Sequence, residues 1–120
     1  MPMDSTRFDG EAAKVRCRGY RRRILDISQR VSALHIGGAY SCTEIVDCIY
    51  NGLMRRTGPG ATSPDTFLMS KGHGCMIQYV VLEDLGVLTK SDLETYCTSD
   101  GRLGVHPDYG NPGIEASTGS

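Results

Sequence analysis

The chain has 120 residues, of which 39% are hydrophobic and 22% are charged, and its formal net charge is −1. This length makes one domain at most, and the composition excludes a chain that is disordered throughout. The longest apolar runs contain only a few residues, whereas a bilayer-spanning helix needs ~20. The first ten residues lack the apolar segment of a signal peptide, so we expect a cytoplasmic protein with no membrane partner.

The first predicted element is an amphipathic helix over 11–34. Its apolar residues Ile24, Ile27, Val31 and Leu34 are three or four positions apart, which places them on one stripe. The run 21–23, all arginine, falls outside the stripe and is expected to face solvent.

Positive charge is concentrated at the start of the chain. Residues 1–30 hold eight basic and four acidic residues, whereas the other ninety hold five basic and ten acidic residues. The basic cluster 16–23 could mark a nucleic-acid-binding surface. It contains Tyr20 as its one aromatic residue and the whole chain is slightly acidic, so we favour a solvated helix face and expect no nucleic-acid partner.

A second helix is predicted after a break at Gly37 and Gly38. Ser41, followed three residues later by Glu44, has the pattern of a capping box, so the helix should begin at Cys42. Its apolar face is predicted to contain Ile45, Ile49 and Leu53. The glycines and prolines of 57–64 should end it near residue 55.

Three further elements follow along the chain. The short apolar run Thr66–Met69 is predicted to be a buried strand, and 73–85 a helix that stops at Gly86. Residues 89–97 carry the signal for one more short, capped helix.

The last segment, 98–120, is rich in glycine and shows no periodicity. A structureless loop of this length is uncommon in a compact domain, and a single strand cannot make a sheet. We therefore expect residues 1–120 to be one unit, without an internal boundary, that is completed by further polypeptide.

The five cysteines are odd in number and include no Cys-x-x-Cys pair, which disfavours both a disulfide framework and a zinc site. We expect them to be free and buried, since a free cysteine behaves as a small hydrophobic residue.

The three histidines, His35, His73 and His106, all lie in loops that contain glycine. A single histidine in such a loop is more often a structural residue, but three loops of the same character favour a common polar site. Their spacing contains no His-x-His or His-x-x-x-His pair, so shared metal ligation is disfavoured, and no metal ligand is assigned.

Four motifs carry a specific resemblance. In order they are His35-Ile-Gly-Gly-Ala-Tyr-Ser, Ser70-Lys-Gly-His73-Gly, Gly104-Val-His106-Pro-Asp, and Pro112-Gly-Ile-Glu-Ala-Ser-Thr-Gly119. From about residue 20 to its end, the chain resembles the N-terminal part of transketolases. It looks most like the N-terminal subunit of the two-gene members of that family.

The resemblance implies an α/β thiamine diphosphate-binding fold, a parallel sheet flanked by helices, of which this chain would be the incomplete and mostly helical front part. It implies thiamine diphosphate and Mg²⁺ as cofactors. The family's Gly-Asp-Gly metal-binding stretch has no counterpart here, which places the Mg²⁺ ligands outside this chain. The implied reaction transfers a two-carbon ketol unit from a ketose to an aldose, with phosphorylated or free sugars as substrates.

The resemblance also implies roles for individual residues. His73 matches the family histidine beside the cofactor's diphosphate, and Gly119 matches a position whose backbone approaches the cofactor. His35 and His106 match histidines that hold oxygens of the donor sugar. The remaining transketolase segment or subunits would be the partners, in a dimer or a higher assembly. The alternative is an inactive, truncated segment that acts as an accessory or interaction module.

Overall fold

The structure, a computed structural model, describes residues 9–30, 36–55, 64–104, 107 and 110–114. Five α-helices lie in this part of the chain: α1 (Gly10–Ser28), α2 (Ile36–Ser41), α3 (Thr43–Cys48), α4 (Cys75–Asp84) and α5 (Lys90–Glu94). A π-helical turn, Ile49–Leu53, extends α3, and a 3₁₀ turn, Gly72–Gly74, precedes α4. None of the described helices is long and apolar enough to span a membrane.

The predicted amphipathic first helix is confirmed over most of its length. Asp9 caps α1 by accepting a hydrogen bond from the backbone N–H of Glu11 at 3.0 Å. Its buried face includes Ile24 and Ile27, as the periodicity predicts. The helix ends at Ser28, short of the predicted end, and 31–35 lie outside the described residues.

The expectation that the arginines of 21–23 face solvent is wrong for two of them. Arg21 donates to Glu44 of α3 at 2.7 Å, and Arg23 donates to Glu83 of α4 at 2.9 Å. Arg22 is exposed. Because the long arginine side chains reach beyond the apolar stripe to neighbouring helices, these residues fasten α1 to its neighbours.

The predicted break at 37–38 and the predicted capping box are also wrong. Both glycines lie inside α2, and Ser41 is the last residue of that helix. The Ser41 hydroxyl donates back to the Gly38 carbonyl at 3.2 Å, and Cys42 is the N-cap residue of α3. The carboxylate of Glu44 accepts a hydrogen bond from Arg21 and not from the backbone N–H of Ser41 that a capping box would use.

The buried face of the second predicted helix is rotated by about one residue. Val46, Asp47 and Tyr50 are buried, whereas Ile45 is 62% exposed and Leu53 is 39% exposed. The carboxylate of Asp47 is drawn inward by Arg16 of α1, and the π-helical turn then shifts the periodicity after Cys48. Of the predicted apolar face, Ile49 packs against the core, whereas Ile45 and Leu53 are not covered by the described residues.

The predicted strand at 66–69 is not a strand. This segment is irregular, with Phe67 against Tyr50 at a ring-centroid distance of 4.9 Å and Met69 buried. A strand needs a paired neighbour, and the described residues contain no β-strand at all. The parallel sheet stays a prediction about the completed domain.

The centre of the fold is α4. The predicted helix over 73–85 is confirmed, and every residue from Cys75 to Leu82 is buried. Gly86 follows at φ 81°, the left-handed conformation with which glycine commonly ends a helix.

The fifth helix and the described part of the tail close over α4. Thr89 and Asp92 form the predicted capping box, although α5 ends at Glu94 and not at 97. Leu103 and Ile114 are buried in the core, so the tail is less open than its sequence suggests.

The cysteines are free, as predicted, but their burial differs. Cys17 and Cys75 are buried, Cys42 and Cys48 are half-buried, and Cys97 is exposed. The expectation that all five are buried is therefore wrong for Cys97.

Candidate functional site

Helix α2 lies against the 3₁₀ turn at Gly72–Gly74, and a glycine makes this approach possible. A Cβ atom at Gly74 would lie 3.3 Å from the Gly38 carbonyl oxygen and 2.9 Å from the methyl of Met69. A side chain there would push against backbone, which cannot yield as a methionine can. The contact places the helix that starts one residue after His35 beside the turn that contains His73.

A third segment is anchored beside the first turns of α4. The Tyr79 hydroxyl donates to the Gly104 carbonyl at 2.8 Å, and the Cys75 thiol lies 3.9 Å from the same oxygen. Gly104 stands two residues before His106. Described residues close in sequence to all three histidines therefore lie near the turn Gly72–Gly74 and α4, although they are far apart along the chain.

The N-terminal end of α4 has the chemistry of an anion site. Its N-cap residue is Gly74, which has no side chain that could accept from the first-turn N–H groups. The half-buried His73 directly precedes it in the 3₁₀ turn. The positive end of the helix dipole favours a negative group, and an imidazole can donate a hydrogen bond to it. These residues fit a diphosphate.

The other three predicted site residues, His35, His106 and Gly119, lie outside the described residues. Among the described residues, the structure brings Gly38 of α2 against the turn that holds His73, and it brings Gly104 against Cys75 and Tyr79 of α4. In the described ranges, no group of three His, Cys, Asp or Glu residues could hold a metal ion.

Lys71 joins the same region, although its sequence motif gave no reason to single it out. Its ammonium group lies 3.2 Å from both the Gly38 carbonyl oxygen and the Ser41 hydroxyl oxygen. Burial raises the pKa of the nearby Cys42 thiol, and the positive charge of Lys71 acts in the opposite direction. Only the tertiary contact between α2 and the turn could reveal this bridge.

A cavity of about 550 Å³ lies elsewhere, between α1 and α3, and its lining includes Ala13, Cys17 and Cys48. Burial raises the pKa of the Cys17 thiol to about 11, so this thiol is protonated at neutral pH and is a poor nucleophile. No described residue of the histidine-bearing segments lines the cavity. We therefore place the candidate site at the N-terminal end of α4.

The sequence matches a family model over residues 14–120, that of the transketolase thiamine diphosphate binding domain. The chain therefore belongs to the transketolase family. This membership agrees with the resemblance seen in the motifs.

Several curated relatives are similar to it. One subunit of the apulose-4-phosphate transketolase of Phocaeicola vulgatus is 36% identical over 102 residues, covering 83% of this chain and 36% of the relative. The subunit of the same name from Actinobacillus succinogenes is 30% identical over 109 residues, covering 88% of this chain and 40% of the relative. The chloroplastic transketolase of Spinacia oleracea is 31% identical over 100 residues, covering 79% of this chain and 14% of the relative.

The chain thus spans well under half the length of these relatives. No solved structure matches it with significance.

Proposed function

We propose that this chain supplies the diphosphate side of the cofactor site in a thiamine diphosphate-dependent transketolase-like transferase. The proposal is supported by the approach of α2 and of Gly104, each close in sequence to a predicted site histidine, to the region of His73 and α4, within a chain that belongs to the transketolase family. Residues 1–120 would then be the front part of an α/β domain that further polypeptide completes.

The proposed reaction transfers a two-carbon ketol unit from a ketose to an aldose. Bound thiamine diphosphate supplies the electron sink that lets a carbon–carbon bond beside the ketose carbonyl break. This chain's part is to hold and to orient. His73 and the first turn of α4 would hold the diphosphate by hydrogen bonds, and Gly119 would let the backbone approach the cofactor.

His35 and His106 would hold hydroxyl and carbonyl oxygens of the donor sugar. Imidazole suits this task because its pKa lies near neutrality, so it can donate or accept a proton at a substrate oxygen. Neither residue belongs to the described part of the chain, so their roles are supported by the motif match.

The two apulose-4-phosphate transketolase relatives are each named as one subunit of an enzyme, which supports a need for a partner subunit. We propose that the partner supplies the remaining parts of the site, including the Mg²⁺ ligands, in a dimer or a higher assembly. The sugars would be phosphorylated or free, and the cytoplasmic location stays a prediction.

An inactive accessory segment is the alternative function. It would keep the fold and the partner contacts without binding the cofactor. The fraction of the relatives that the chain spans is compatible with both proposals, so cofactor binding is the property that separates them.

The decisive experiment measures binding of thiamine diphosphate with Mg²⁺ to this chain in complex with its completing polypeptide, before and after His73→Ala. A charge-assisted hydrogen bond contributes about 1.5 to 3 kcal/mol, so we expect the dissociation constant to rise ~10-fold or more. His106→Ala should chiefly impair use of the donor ketose and leave cofactor affinity near that of the wild type.

Absence of binding by the wild-type complex would favour the accessory function. Equal cofactor affinity in the wild type and His73→Ala would remove His73 from the cofactor site. We expect the isolated chain, with cofactor and Mg²⁺ added, to show no turnover of a ketose, because no group of metal ligands lies among its described residues.

A further inference from the structure

We propose that Lys71 is a positioning residue for the cofactor side of the site: its ammonium group fastens the turn Gly72–Gly74 to α2 and so sets the place of His73. This inference rests on the proposed function. It adds a residue to which neither the motif match nor the family assignment gives a role.

Three donor groups surround one carbonyl group near the C-terminal end of α2. The Gly38 oxygen lies 3.2 Å from the Lys71 ammonium, 3.2 Å from the Ser41 hydroxyl and 3.3 Å from the Cys42 thiol. Carbonyl groups in the last turn of a helix lack partners within the helix, and a cation is favoured at this end. Lys71 is the one donor of the three that comes from outside the α2–α3 segment.

The main chain of Lys71 also takes part in the turn. Its backbone carbonyl accepts a hydrogen bond from the N–H of Gly74 at 2.9 Å, and this bond closes the turn around His73. One residue therefore closes the turn with its main chain and ties the turn to α2 with its side chain. Loss of the ammonium group would leave the hydrogen bond from the Gly74 N–H to the Lys71 carbonyl in place. It would remove the contact between Lys71 and the Gly38 carbonyl of α2.

The exposure of Lys71 separates this role from core packing. Lys71 is exposed, whereas Gly72 and Gly74 on either side of His73 are buried. Removal of its charge should therefore leave the core intact. The contact between Gly38 and Gly74 would also remain, because it depends on glycine and not on the lysine.

The test compares Lys71→Met, which keeps the chain length and removes the charge, with Lys71→Arg, which keeps the charge. Lys90→Met on α5 is the matched control, since Lys90 is exposed and its Nζ lies 3.8 Å from Glu94. Binding of thiamine diphosphate with Mg²⁺ is measured by calorimetry on the complex with the completing polypeptide. We expect Lys71→Met to weaken binding about threefold to tenfold, as for one lost hydrogen-bonding group, and Lys71→Arg and Lys90→Met to bind nearly as the wild type does.

A second readout, independent of the cofactor, is alkylation of Cys42 by iodoacetamide, followed by peptide mass spectrometry with Cys97 as the exposed internal reference. The thiolate is the form that reacts. Loss of the Lys71 charge should raise the pKa of the Cys42 thiol further, so Cys42 should react more slowly relative to Cys97 in Lys71→Met but not in Lys71→Arg.

Weaker cofactor binding together with slower Cys42 alkylation, both restored in Lys71→Arg, would establish the positioning role. Unchanged binding in Lys71→Met would overturn it. Weaker binding with Cys42 alkylation unchanged or faster would also overturn it, because Lys71 would then act on the cofactor directly. If the wild-type complex binds no cofactor, the proposed function and this role fall together, and slower Cys42 alkylation alone would indicate a purely structural tie.

Discussion

Helix α4 and the α3 segment with its π-helical turn are both rich in apolar residues, yet the chain treats them differently. Every side chain from Cys75 to Leu82 in α4 is buried. In the other segment, Ile45 is 62% exposed and Leu53 is 39% exposed. Both helices contact several neighbours, but α4 is enclosed by α1, α2, α3 and α5, whereas the side of α3 that carries Ile45 is exposed among the described residues.

This difference indicates that α4 is fully packed by the described residues, whereas the α3 segment is not. An exposed isoleucine or leucine forgoes ~1.5 to 3 kcal/mol of burial free energy, a large amount against a total stability of ~5 to 15 kcal/mol. Since the chain covers only 36% to 40% of the two apulose-4-phosphate transketolase subunits, we predict that further polypeptide covers the face around Ile45 and Leu53. Part of the cover would be the rest of the domain and part a second subunit.

The largest expected effect contrasts two isoleucines. Ile77→Ala in α4 removes a side chain that is 0% exposed, and we expect the free energy of unfolding to fall by about 2 to 5 kcal/mol. Ile45→Ala on the open face should change it by less than about 0.5 kcal/mol. Urea denaturation of the chain followed by circular dichroism measures both. Equal effects would contradict the contrast between the two segments.

The second prediction tests whether the ion pair between Arg16 and Asp47 stabilises the buried face of α3. Arg16 donates to Asp47, whose side chain is 1% exposed, and Asn51 donates to the same carboxylate. Arg16→Met leaves a buried charge with one partner fewer, so we expect a loss of about 2 to 3 kcal/mol of unfolding free energy. Arg22→Met, an exposed arginine of the same helix, is the control for removal of a charge and should be nearly neutral.

The third prediction concerns assembly. Ile45→Asp puts a charge on the face that we expect to be covered, and it should weaken association with the completing polypeptide roughly tenfold or more. Native mass spectrometry over a concentration series measures this. Val15→Asp, at a position that is 66% exposed on α1, is the control for added charge. Unaltered association in Ile45→Asp would mean that the face stays open to solvent.

The smallest expected effect compares the two capping signals. Thr89 caps α5, so Thr89→Ala should lower the free energy of unfolding by about 1 kcal/mol, whereas Ser41→Ala should not affect the start of α3. The hydrogen bond from the Thr89 N–H is the main cause that lowers the pKa of Asp92 below its usual 3.8, and Arg102 adds to it.

This pKa shift also predicts a pH dependence. Because the folded pKa of Asp92 is the lower one, its contribution to stability is present above pH 3.8 and is lost as the pH falls through the folded value. Acid titration of stability should show a smaller loss below pH 4 in Asp92→Asn than in the wild type. An equal loss of unfolding free energy below pH 4 in both proteins would contradict this assignment.

The candidate site was predicted from sequence only in outline. The motifs singled out His35, His73 and His106 because histidines in glycine-bearing loops are typical of polar sites. They could not show that Gly38 and Gly74 bring two of these loops together, or that Tyr79 anchors the third through Gly104. Lys71 was missed because a lysine near a histidine in sequence indicates no function by itself. Its partner, the Gly38 carbonyl, lies 33 residues away and is known only from the structure.

The sequence by itself determined some of the local elements and the family. Helical periodicity predicted α1 and α4, the Thr89 cap predicted α5, and the ordered motifs indicated the transketolase family. These features depend on residues a few positions apart, which hydrogen-bond and pack in nearly the same way in any fold. Tertiary structure decided which face of α3 is buried and which carboxylates the arginine side chains of α1 bind. It also decided that residues 66–69 are irregular. Those outcomes depend on partners many residues away, such as Arg16 with Asp47, which no local pattern encodes.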